Sequence, residues 1–315
     1  METRKLYYED PFQKGFATTV VSCDAVKGGY AVVLAETAFY PEGGGQPYDT
    51  GVLGEANVLE VHEKNGVITH LCDKPFEVGK SVSGKIDWAR RFDHMQQHSG
   101  EHICSGLICE RFHCDNVGFH MGADVVTIDF NADISWDELM EIEQLANLYI
   151  YEDHPIDIQF YRGAELDKVE YRSKKPLEGD VRIVSFPGAD CCACCGTHVV
   201  RSGQVGLVKF LSVQKFRDGV RIELLSGKRA HRYLSECWAQ DVRIAQALSV
   251  KPNASFAGVE RVLAELSALK QRCAKLEESV FAQAAAQYEG KGDVLLFEDE
   301  MSGDSLRKLC DAVTN

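Results

Sequence analysis

The chain has 315 residues, of which 45% are hydrophobic and 26% are charged, and its formal net charge is −14. This length and composition are typical of a globular protein with more than one domain, and the negative charge argues against a protein that coats nucleic acid nonspecifically. No apolar run of about 18 residues occurs, and the first residues, METRKLYYEDPFQKG, lack the hydrophobic segment of a signal peptide. We therefore expect a cytoplasmic protein with no membrane partner.

Residues 1–88 are predicted to form a small β-domain. Hydrophobic and polar residues alternate in GFATTVVSCDAVKGGYAVVLAETAFY and in GVLGEANVLEVHEKNGVITHLC, and turn signals occur at KGG and KNG. Short strands at this spacing indicate a small barrel or sandwich rather than a parallel sheet.

A glycine-rich segment, FYPEGGGQPYDTG, lies between these strands. Gly43, Gly44 and Gly45 allow the backbone to approach a ligand closely and to adopt conformations that other residues avoid. The segment is not a P-loop, because no GK[ST] follows it. Gln46 and Asp49 beside the glycines favour a loop that lines a site, and a plain connection between strands is the alternative.

The segment WARRFDHMQQHSGEHICSGLICERF is predicted to form one helix, Trp88–Phe112. It places His98 and His102 four residues apart, so both imidazoles project from one face and can converge on one metal ion. Downstream, CCACCGTHVV repeats this spacing with Cys194 and His198. The two pairs predict a tetrahedral zinc site with four protein ligands, or one with three ligands and an open position.

The 12 cysteines are interpreted as thiols and metal ligands rather than disulfides. Clustered cysteine beside histidine in a reducing compartment is more typical of a metal site. A zinc knuckle built from Cys191, Cys192, Cys194 and Cys195 is an alternative, but no second CxxC pair completes it. Cys194 is favoured because its spacing to His198 matches that of the histidine pair.

Residues 89–235 are predicted to form an α+β domain with two layers, in which helices cover one face of a mainly antiparallel sheet. The segment ISWDELMEIEQLANLYIYED is an amphipathic helix with Ser135 as its N-cap. Strand patterns occur in VGFHMGADVVTIDF, HPIDIQFYRG, VRIVSFPG and VGLVKFLSVQKFRDGVRIELLSG.

Charge is unevenly distributed, because residues 161–235 contain 14 lysines and arginines against 8 aspartates and glutamates, a local balance of +6. This stretch surrounds the second metal pair, so an anionic substrate can be drawn toward it. A solvated basic face is an equal alternative. The residues that dominate the balance are Lys174, Lys175, Lys209, Lys215, Arg217, Arg221, Lys228, Arg229 and Arg232.

Residues 236–289 are predicted to form a helical hairpin or a dimerising coiled coil. Apolar residues keep a 3-4 spacing for about three heptads at Val259, Val262, Leu266, Leu269, Cys273, Leu276 and Val280. In residues 290–315, GKGDVLLFEDE is predicted to be a buried strand and SGDSLRKLCDAV a helix. The chain is thus expected to stop inside a further α/β domain.

Three motifs, FYPEGGGQPYDTG, HSGEH and CCGTH, together resemble the editing domain of alanyl-tRNA synthetase and its free-standing relatives, the AlaX trans-editing proteins. The resemblance covers about residues 5–235. The helices and the final strand-helix unit resemble the start of the DHHA1 domain in the long AlaX type. Each motif alone is modest, but the three in this order are specific.

The resemblance implies hydrolysis of the ester that joins a wrong amino acid, serine or glycine, to tRNA for alanine. The implied zinc ligands are His98, His102, Cys194 and His198. The residues implied near the aminoacyl end of the tRNA are Gly43, Gly44, Gly45, Gln46 and Thr197. A polar residue that senses the serine hydroxyl in the family corresponds to the region around Asn116, so Gln46 and Asn116 are the candidates for a catalytic role.

Two further hypotheses remain open. HSGEH also matches the HxxEH pattern of inverted zincin metallopeptidases, with Glu101 as general base. That hypothesis requires an acidic third ligand, which the next helix offers at Glu138, Glu141 or Glu143, and it leaves CCACCGTHVV and the glycine loop unexplained. The other hypothesis is a zinc-stabilised tRNA-binding module without catalysis. The heptads make a homodimer through the C-terminal helices a reasonable expectation.

Overall fold

The amino-terminal part of the chain is an antiparallel β-barrel in the computed structural model, which describes residues 2–173, 179–297 and 301–314. Its elements are β1 (Arg4–Lys5), α1 (Leu6–Glu9), β2 (Gly15–Val26), β3 (Gly29–Leu34), β4 (Glu36–Thr37), β5 (Gly51–Leu53), β6 (Ala56–Lys64), β7 (Val67–Cys72) and β8 (Ser81–Ile86). The barrel closes in the order β2-β3-β7-β6-β5-β8, and β1 pairs with β4 in parallel outside it. Alternate residues of β2, such as Phe16 and Val20, enter the barrel core, as the alternating pattern predicts.

Between the barrel and residue 226, the described residues form two α-helices and two antiparallel sheets. The elements are α2 (Trp88–Phe112), β9 (Asn116–Met121), β10 (Val126–Phe130), α3 (Trp136–Tyr151), β11 (Asp157–Arg162), β12 (Asp180–Phe186), β13 (Asp190–Ala193), β14 (Val208–Phe216) and β15 (Gly219–Ser226). One sheet has the order β14-β15-β10-β9 and the other β11-β12-β13. The α+β prediction is confirmed, although the strands form two sheets here where one was expected.

Helix α2 has the predicted bounds and is buried on all sides through its middle. Asp87 begins it, because its carboxylate accepts a hydrogen bond from a backbone amide of the first turn. Two glycines set how closely the helix packs. A Cβ on Gly100 would lie 2.1 Å from the Ser226 hydroxyl oxygen, and one on Gly106 would lie 2.0 Å from the Ala189 carbonyl oxygen. The two glycines therefore allow α2 to pack closely against both sheets. This packing fixes the position of the helix and of its histidines, His98 and His102.

A fully buried ion pair connects the glycine-rich loop to α2. Arg91 and Asp49 both have 0% side-chain exposure, and Arg91 Nε donates to Asp49 Oδ2 at 2.9 Å. The same guanidinium donates to the carbonyl oxygens of Ala38 and Pro11, and Asp49 accepts from the Tyr40 amide. Asp49 was expected beside a site-lining loop. Its carboxylate has a structural role, because the pair with Arg91 holds the loop against the helix.

The chain forms two compact units, Met1–Leu234 and Ser235–Asn315. Helix α4 (Gly227–Ala247) begins in the first unit, and the second contains α5 (Ser255–Tyr288) and α6 (Gly303–Thr314). Many apolar side chains of α5, including those of Leu263 and Leu269, are exposed. Within the described residues, no helix is both long enough and apolar enough to cross a membrane.

The predicted buried strand GKGDVLLFEDE is wrong for the residues described, because 291–297 form no strand. Leu295 and Phe297 are 79% and 88% exposed. A strand requires a partner for its backbone groups, and the described part of 235–314 contains no other strand. Residues 298–300 of this segment, and Lys174 and Lys175 of the basic stretch, lie outside the described residues.

Candidate metal centre and adjoining cleft

Four potential metal ligands converge at the middle of α2. His98 and His102 project from adjacent turns of the helix, and Cys194 and His198 follow strand β13. Their donor atoms all lie within 4.8 Å of one another, with Cys194 Sγ 3.5 Å from His98 Nε2 and 3.3 Å from His198 Nε2. These separations match the edges of a tetrahedron around an ion held by bonds of about 2.0–2.3 Å. The structure thus brings together the four residues selected by spacing.

Each of the three histidines is oriented by a hydrogen bond from its other ring nitrogen. His98 Nδ1 donates to Gln46 Oε1 at 2.8 Å, and His102 Nδ1 donates to Asp190 Oδ2 at 2.8 Å. His198 Nδ1 lies 3.3 Å from Ser99 Oγ. Such partners fix the tautomer of a ligating histidine and leave Nε2 free to bind a metal. Each of the three histidines therefore has the kind of supporting partner that metal-ligating histidines have.

The charge of the cluster also suits a metal ion. Burial raises the pKa of the Cys194 thiol, but the adjacent imidazoles of His98 and His198 lower it more, so that it lies well below its usual range. The thiolate is the form that binds metal. Burial likewise raises the pKa of Asp190, and its hydrogen bonds with His102 and Arg172 bring it below the usual value. Asp190 is therefore an anion that supports His102.

The glycine-rich loop supports the cluster through Gln46. Gln46 Nε2 donates to Thr197 Oγ1 at 2.8 Å, and its Oε1 accepts from the Thr197 amide at 3.1 Å and from His98. Both side chains are buried. Gln46 is therefore a positioning residue for His98 rather than a group facing a ligand. Gly44 and Gly45, with φ of 58° and 84°, make the turn that brings Gln46 there.

A cleft of about 610 Å³ opens beside the four donors. Gly44, Asn116 and Phe119 line it on one side, and Arg172 and Arg182 line it on another. Arg182 donates to the Cys194 carbonyl oxygen at 2.7 Å, and its buried Nε has no hydrogen-bond partner. Glu101 and Asp180 line the same cleft, so it offers a ligand both basic and acidic side chains next to the metal ligands.

Asn116 presents an unpartnered acceptor at this cleft. Its Nδ2 donates at 2.8 Å both to Glu101 Oε1 and to Ser105 Oγ, whereas its buried Oδ1 has no partner. A buried polar atom of this kind is unfavourable unless a ligand or water satisfies it. Among the described residues no donor satisfies this Oδ1, and Asn116 is one of the residues that line the cleft.

The cluster does not include the acidic ligand that an inverted zincin requires. Glu138 forms a capping box with Ser135, which confirms Ser135 as the N-cap of α3. Glu141 pairs with Arg111, and Glu143 accepts from the Phe210 amide and from Lys209. None of these three glutamates belongs to a candidate metal cluster of the described residues.

The cysteine knuckle is also not formed. Of its four proposed cysteines, Cys194 alone joins the histidine cluster, and Cys195 is exposed. Cys192 approaches His102 and Asp190 in a separate group of three that shares the His102 imidazole. The single-cysteine arrangement is therefore the one that the fold presents.

Several residues of the site were not foreseen: Ser99, Asp190, Arg172 and Arg182. Ser99 lies inside HSGEH and Asp190 directly precedes CCACC. Because ligating histidines are usually hydrogen-bonded to a carboxylate, carbonyl or hydroxyl, polar residues inside or next to the ligand motifs were the available signal. The arginines had no such local signal.

Gly196 packs directly against the His98 ring, so a substitution there tests whether His98 is a metal ligand. A Cβ there would lie 2.0 Å from His98 Cε1 and 2.2 Å from His98 Nδ1. Gly196→Ala is therefore expected to displace His98 from Gln46 and to weaken metal affinity by about 10- to 100-fold, measured by competition with a chelator. Gly15→Ala, whose Cβ would lie 3.6 Å from its nearest neighbour, is the matched control. Wild-type affinity in Gly196→Ala would show that His98 does not bind metal in this position.

Two family profiles match the chain. The profile described as tRNA synthetases class II (A) matches residues 12–90, and the one described as threonyl and alanyl tRNA synthetase second additional domain matches residues 181–223. The second match ends three residues before the close of β15 and contains Cys194 and His198.

Similar proteins carry related names. The alanine–tRNA ligase of Pyrococcus abyssi is 36% identical over 98% of this chain, but the chain spans only 35% of that ligase. The alanyl-tRNA editing protein AlaX-L of Pyrococcus horikoshii is 31% identical over 95% of this chain and 75% of the relative. The alanyl-tRNA editing protein Aarsd1-A of Xenopus laevis is 29% identical over 90% of this chain and 73% of the relative. The chain therefore belongs to the alanyl-tRNA editing protein family.

Proposed function

We propose that this protein is a trans-editing hydrolase that removes serine or glycine from mischarged tRNA for alanine at a zinc site. The observation that carries the proposal is the convergence of His98, His102, Cys194 and His198 beside a cleft that contains an unpartnered acceptor. The relatives named as alanyl-tRNA editing proteins support the substrate class. Acting on tRNA charged for translation, the enzyme would work in the cytoplasm.

The donor set fits zinc. One cysteine sulfur and three histidine nitrogens, each histidine supported by a second-shell partner, are typical of tetrahedral zinc sites. With three of these residues as ligands, bound zinc would keep an open position and would polarise an ester carbonyl or a water molecule there; with all four as ligands it would hold the site and position the substrate. The protein's own contribution is to hold the four donors rigidly and to close one side of the cleft with the Gly43–Gln46 turn.

Selectivity against alanine is assigned to Asn116. Glu101 and Ser105 occupy its Nδ2, so its Oδ1 remains as an acceptor for the hydroxyl of a seryl group. An alanyl group has no hydroxyl and would leave this buried acceptor unpaired. Such mismatches are the strongest means by which a site rejects an analogue that lacks a polar group. A glycyl group also lacks the hydroxyl, so this contact selects serine and does not select glycine over alanine.

Recognition of tRNA is proposed to use basic side chains near the cleft, in a chain whose net charge is −14. Arg172 and Arg182 line the cleft, and further basic residues lie at the start of α4. We also infer that the C-terminal helices form a helical hairpin or a homodimer. Support comes from the exposed apolar residues of α5, such as Leu266 and Leu276, which keep heptad spacing.

Glu101 distinguishes editing from peptidase chemistry. It is buried at the cleft, and its Oε2 lies 4.0 Å from His102 Nε2. Because glutamine keeps the Oε1 acceptor used by Ser105 and Asn116, Glu101→Gln is expected to retain deacylation within about threefold of wild type. An inverted zincin would require the carboxylate as general base. Deacylation of Ser-tRNA and cleavage of a casein substrate are measured for wild type and for Glu101→Gln.

Two results would change this account. A Glu101→Gln protein that folds and binds zinc but no longer deacylates Ser-tRNA would count against the assignment of Glu101 as a supporting residue. Peptide cleavage by wild type that Glu101→Gln abolishes would favour the metallopeptidase. Binding of tRNA and zinc with neither activity would favour the non-catalytic module.

A further inference from the structure

A second cavity, of about 430 Å³, lies between the first turns of α2 and the first turns of α4. We call it the basic pocket. Four positive side chains line it, against the single carboxylate of Asp93; they are Arg90, Lys228, Arg229 and Arg232. In a chain with a net charge of −14, this is a local concentration of positive charge in a concave site. Concave sites of one charge sign attract counter-ions.

Two of the arginines that line the pocket are held in place by hydrogen bonds to other parts of the protein. Arg229 is held by Asp93 through bonds of 2.7–3.0 Å and donates to the Gly122 carbonyl oxygen at 2.7 Å. Arg90 Nε donates to the Tyr48 carbonyl oxygen at 3.0 Å. These bonds fix two guanidinium groups in place, so a ligand pays little ordering entropy to meet them.

The start of α4 is fixed in the same way. Gln96 Oε1 accepts from the Lys228 amide at 3.2 Å, and Gln96 Nε2 donates to the Gln204 carbonyl oxygen at 3.0 Å. The positive end of the α4 macrodipole therefore adds to the charge of the pocket.

His94 supplies an independent sign of a missing ligand. It lines the pocket, is only 2% exposed, and its enclosed Nδ1 has no hydrogen-bond partner among the described residues. Burial, assisted by the nearby Arg90, lowers the pKa of His94 to about 3, so the imidazole is neutral. An oxyanion in the pocket would offer an acceptor next to this ring and would be attracted by the positive side chains that line the pocket.

The basic pocket and the metal cleft share two walls. In the glycine-rich loop, Gly44 lines the cleft and Pro47 lines the pocket. Similarly, Phe119 of β9 lines the cleft, and Gly122, just beyond β9, lines the pocket. The two cavities therefore lie next to each other on either side of the loop.

The rise of α2 gives an approximate scale for the distance between them. Arg90 precedes His98 by eight residues, which corresponds to about 12 Å of helix. That distance matches roughly three to four stacked nucleotides at about 3.4 Å each. A strand whose end entered the cleft would thus carry a backbone phosphate to the basic pocket.

We propose that the basic pocket binds a backbone phosphate of RNA, a few nucleotides from the aminoacylated end that enters the metal cleft. The proposal rests on the proposed function for the identity of that end. It accounts for part of the basic stretch recognised in the sequence, because three of its members, Lys228, Arg229 and Arg232, meet here.

Lys228→Glu tests the pocket, with Lys27→Glu, in an exposed turn of the barrel, as the matched charge change. Affinity for uncharged tRNA for alanine is measured by fluorescence anisotropy between about 50 and 200 mM salt. Lys228→Glu is expected to weaken binding by about tenfold at low salt and to reduce the salt slope by about one. For deacylation of Ser-tRNA, Lys228→Glu is expected to raise KM and to leave kcat unchanged. Lys27→Glu matches wild type, and Lys228→Gln repeats the test with a neutral side chain.

The outcomes separate the pocket from the catalytic proposal, because tRNA affinity does not depend on hydrolysis. If wild type hydrolyses no mischarged tRNA yet Lys228→Glu loses tRNA affinity, the pocket stands and the editing function fails. If Lys228→Glu and Lys27→Glu bind tRNA equally, the pocket proposal is overturned. It is also overturned if inorganic phosphate binds in a Lys228-dependent way while tRNA binding does not change, since the pocket would then serve a free anion.

Discussion

A Cys194→Ser protein is expected to lose most of its zinc and at least about 100-fold in kcat/KM for deacylation, whereas Cys191→Ser keeps both. Cys194 Sγ is 3.3–3.5 Å from two imidazole nitrogens, and those imidazoles lower its pKa. Cys191 lies three residues earlier, and burial raises its pKa, so it remains a thiol. Serine replaces a soft thiolate with a neutral hydroxyl, which is a poor zinc ligand.

Metal content by elemental analysis and single-turnover release of serine are the two readouts. Circular dichroism of both variants confirms that the fold is retained. Equal zinc loss in Cys194→Ser and Cys191→Ser would contradict the assignment of Cys194 as the single cysteine ligand. It would favour the cysteine knuckle instead.

Asp49→Ala is expected to destabilise the first unit by about 3–5 kcal/mol, because it leaves the Arg91 charge buried without a partner. Both side chains of this pair have 0% exposure. The pair also fixes the glycine-rich loop, so zinc affinity should fall as Gln46 loses its position. Denaturant unfolding measures the change in the free energy of unfolding.

Asp133→Ala is the control, because its carboxylate pairs with Lys215 at the surface, where the side chains are 80% and 64% exposed. An exposed pair contributes about 0–1 kcal/mol. In the double variant Asp49→Ala/Arg91→Met the buried charge is gone, so the loss should be smaller than the sum of the single losses. Equal costs for Asp49→Ala and Asp133→Ala would contradict the structural role of the buried pair.

The parts of the site that sequence predicted are those governed by local spacing. The bounds of α2 follow from a capping residue and a continuous helical segment, and helix geometry fixes the i, i+4 step of His98–His102. Cys194 and His198 have the same step but lie in an irregular segment after β13, so helix geometry does not explain their convergence. The turns at Gly28 and Gly66 likewise have positive φ, as KGG and KNG predict.

The parts that sequence did not predict depend on contacts between distant segments. Asp49 and Arg91 are 42 residues apart, and Gln46 and Thr197 are 151 apart. Hydrophobic periodicity along the sequence does not indicate which distant residues pair in this way. The strand prediction for residues 290–297 was wrong for a related reason. A short apolar run forms a strand only where a partner strand exists, and the local sequence does not show whether one does.

The most direct test of the account is the release of amino acid from Ser-tRNA, Gly-tRNA and Ala-tRNA for alanine by wild type and His98→Ala. The account predicts fast release of serine or glycine, retention of alanine, and loss of activity together with zinc in His98→Ala. Release of alanine as fast as serine, or no release from any of the three by zinc-loaded wild type, would contradict it.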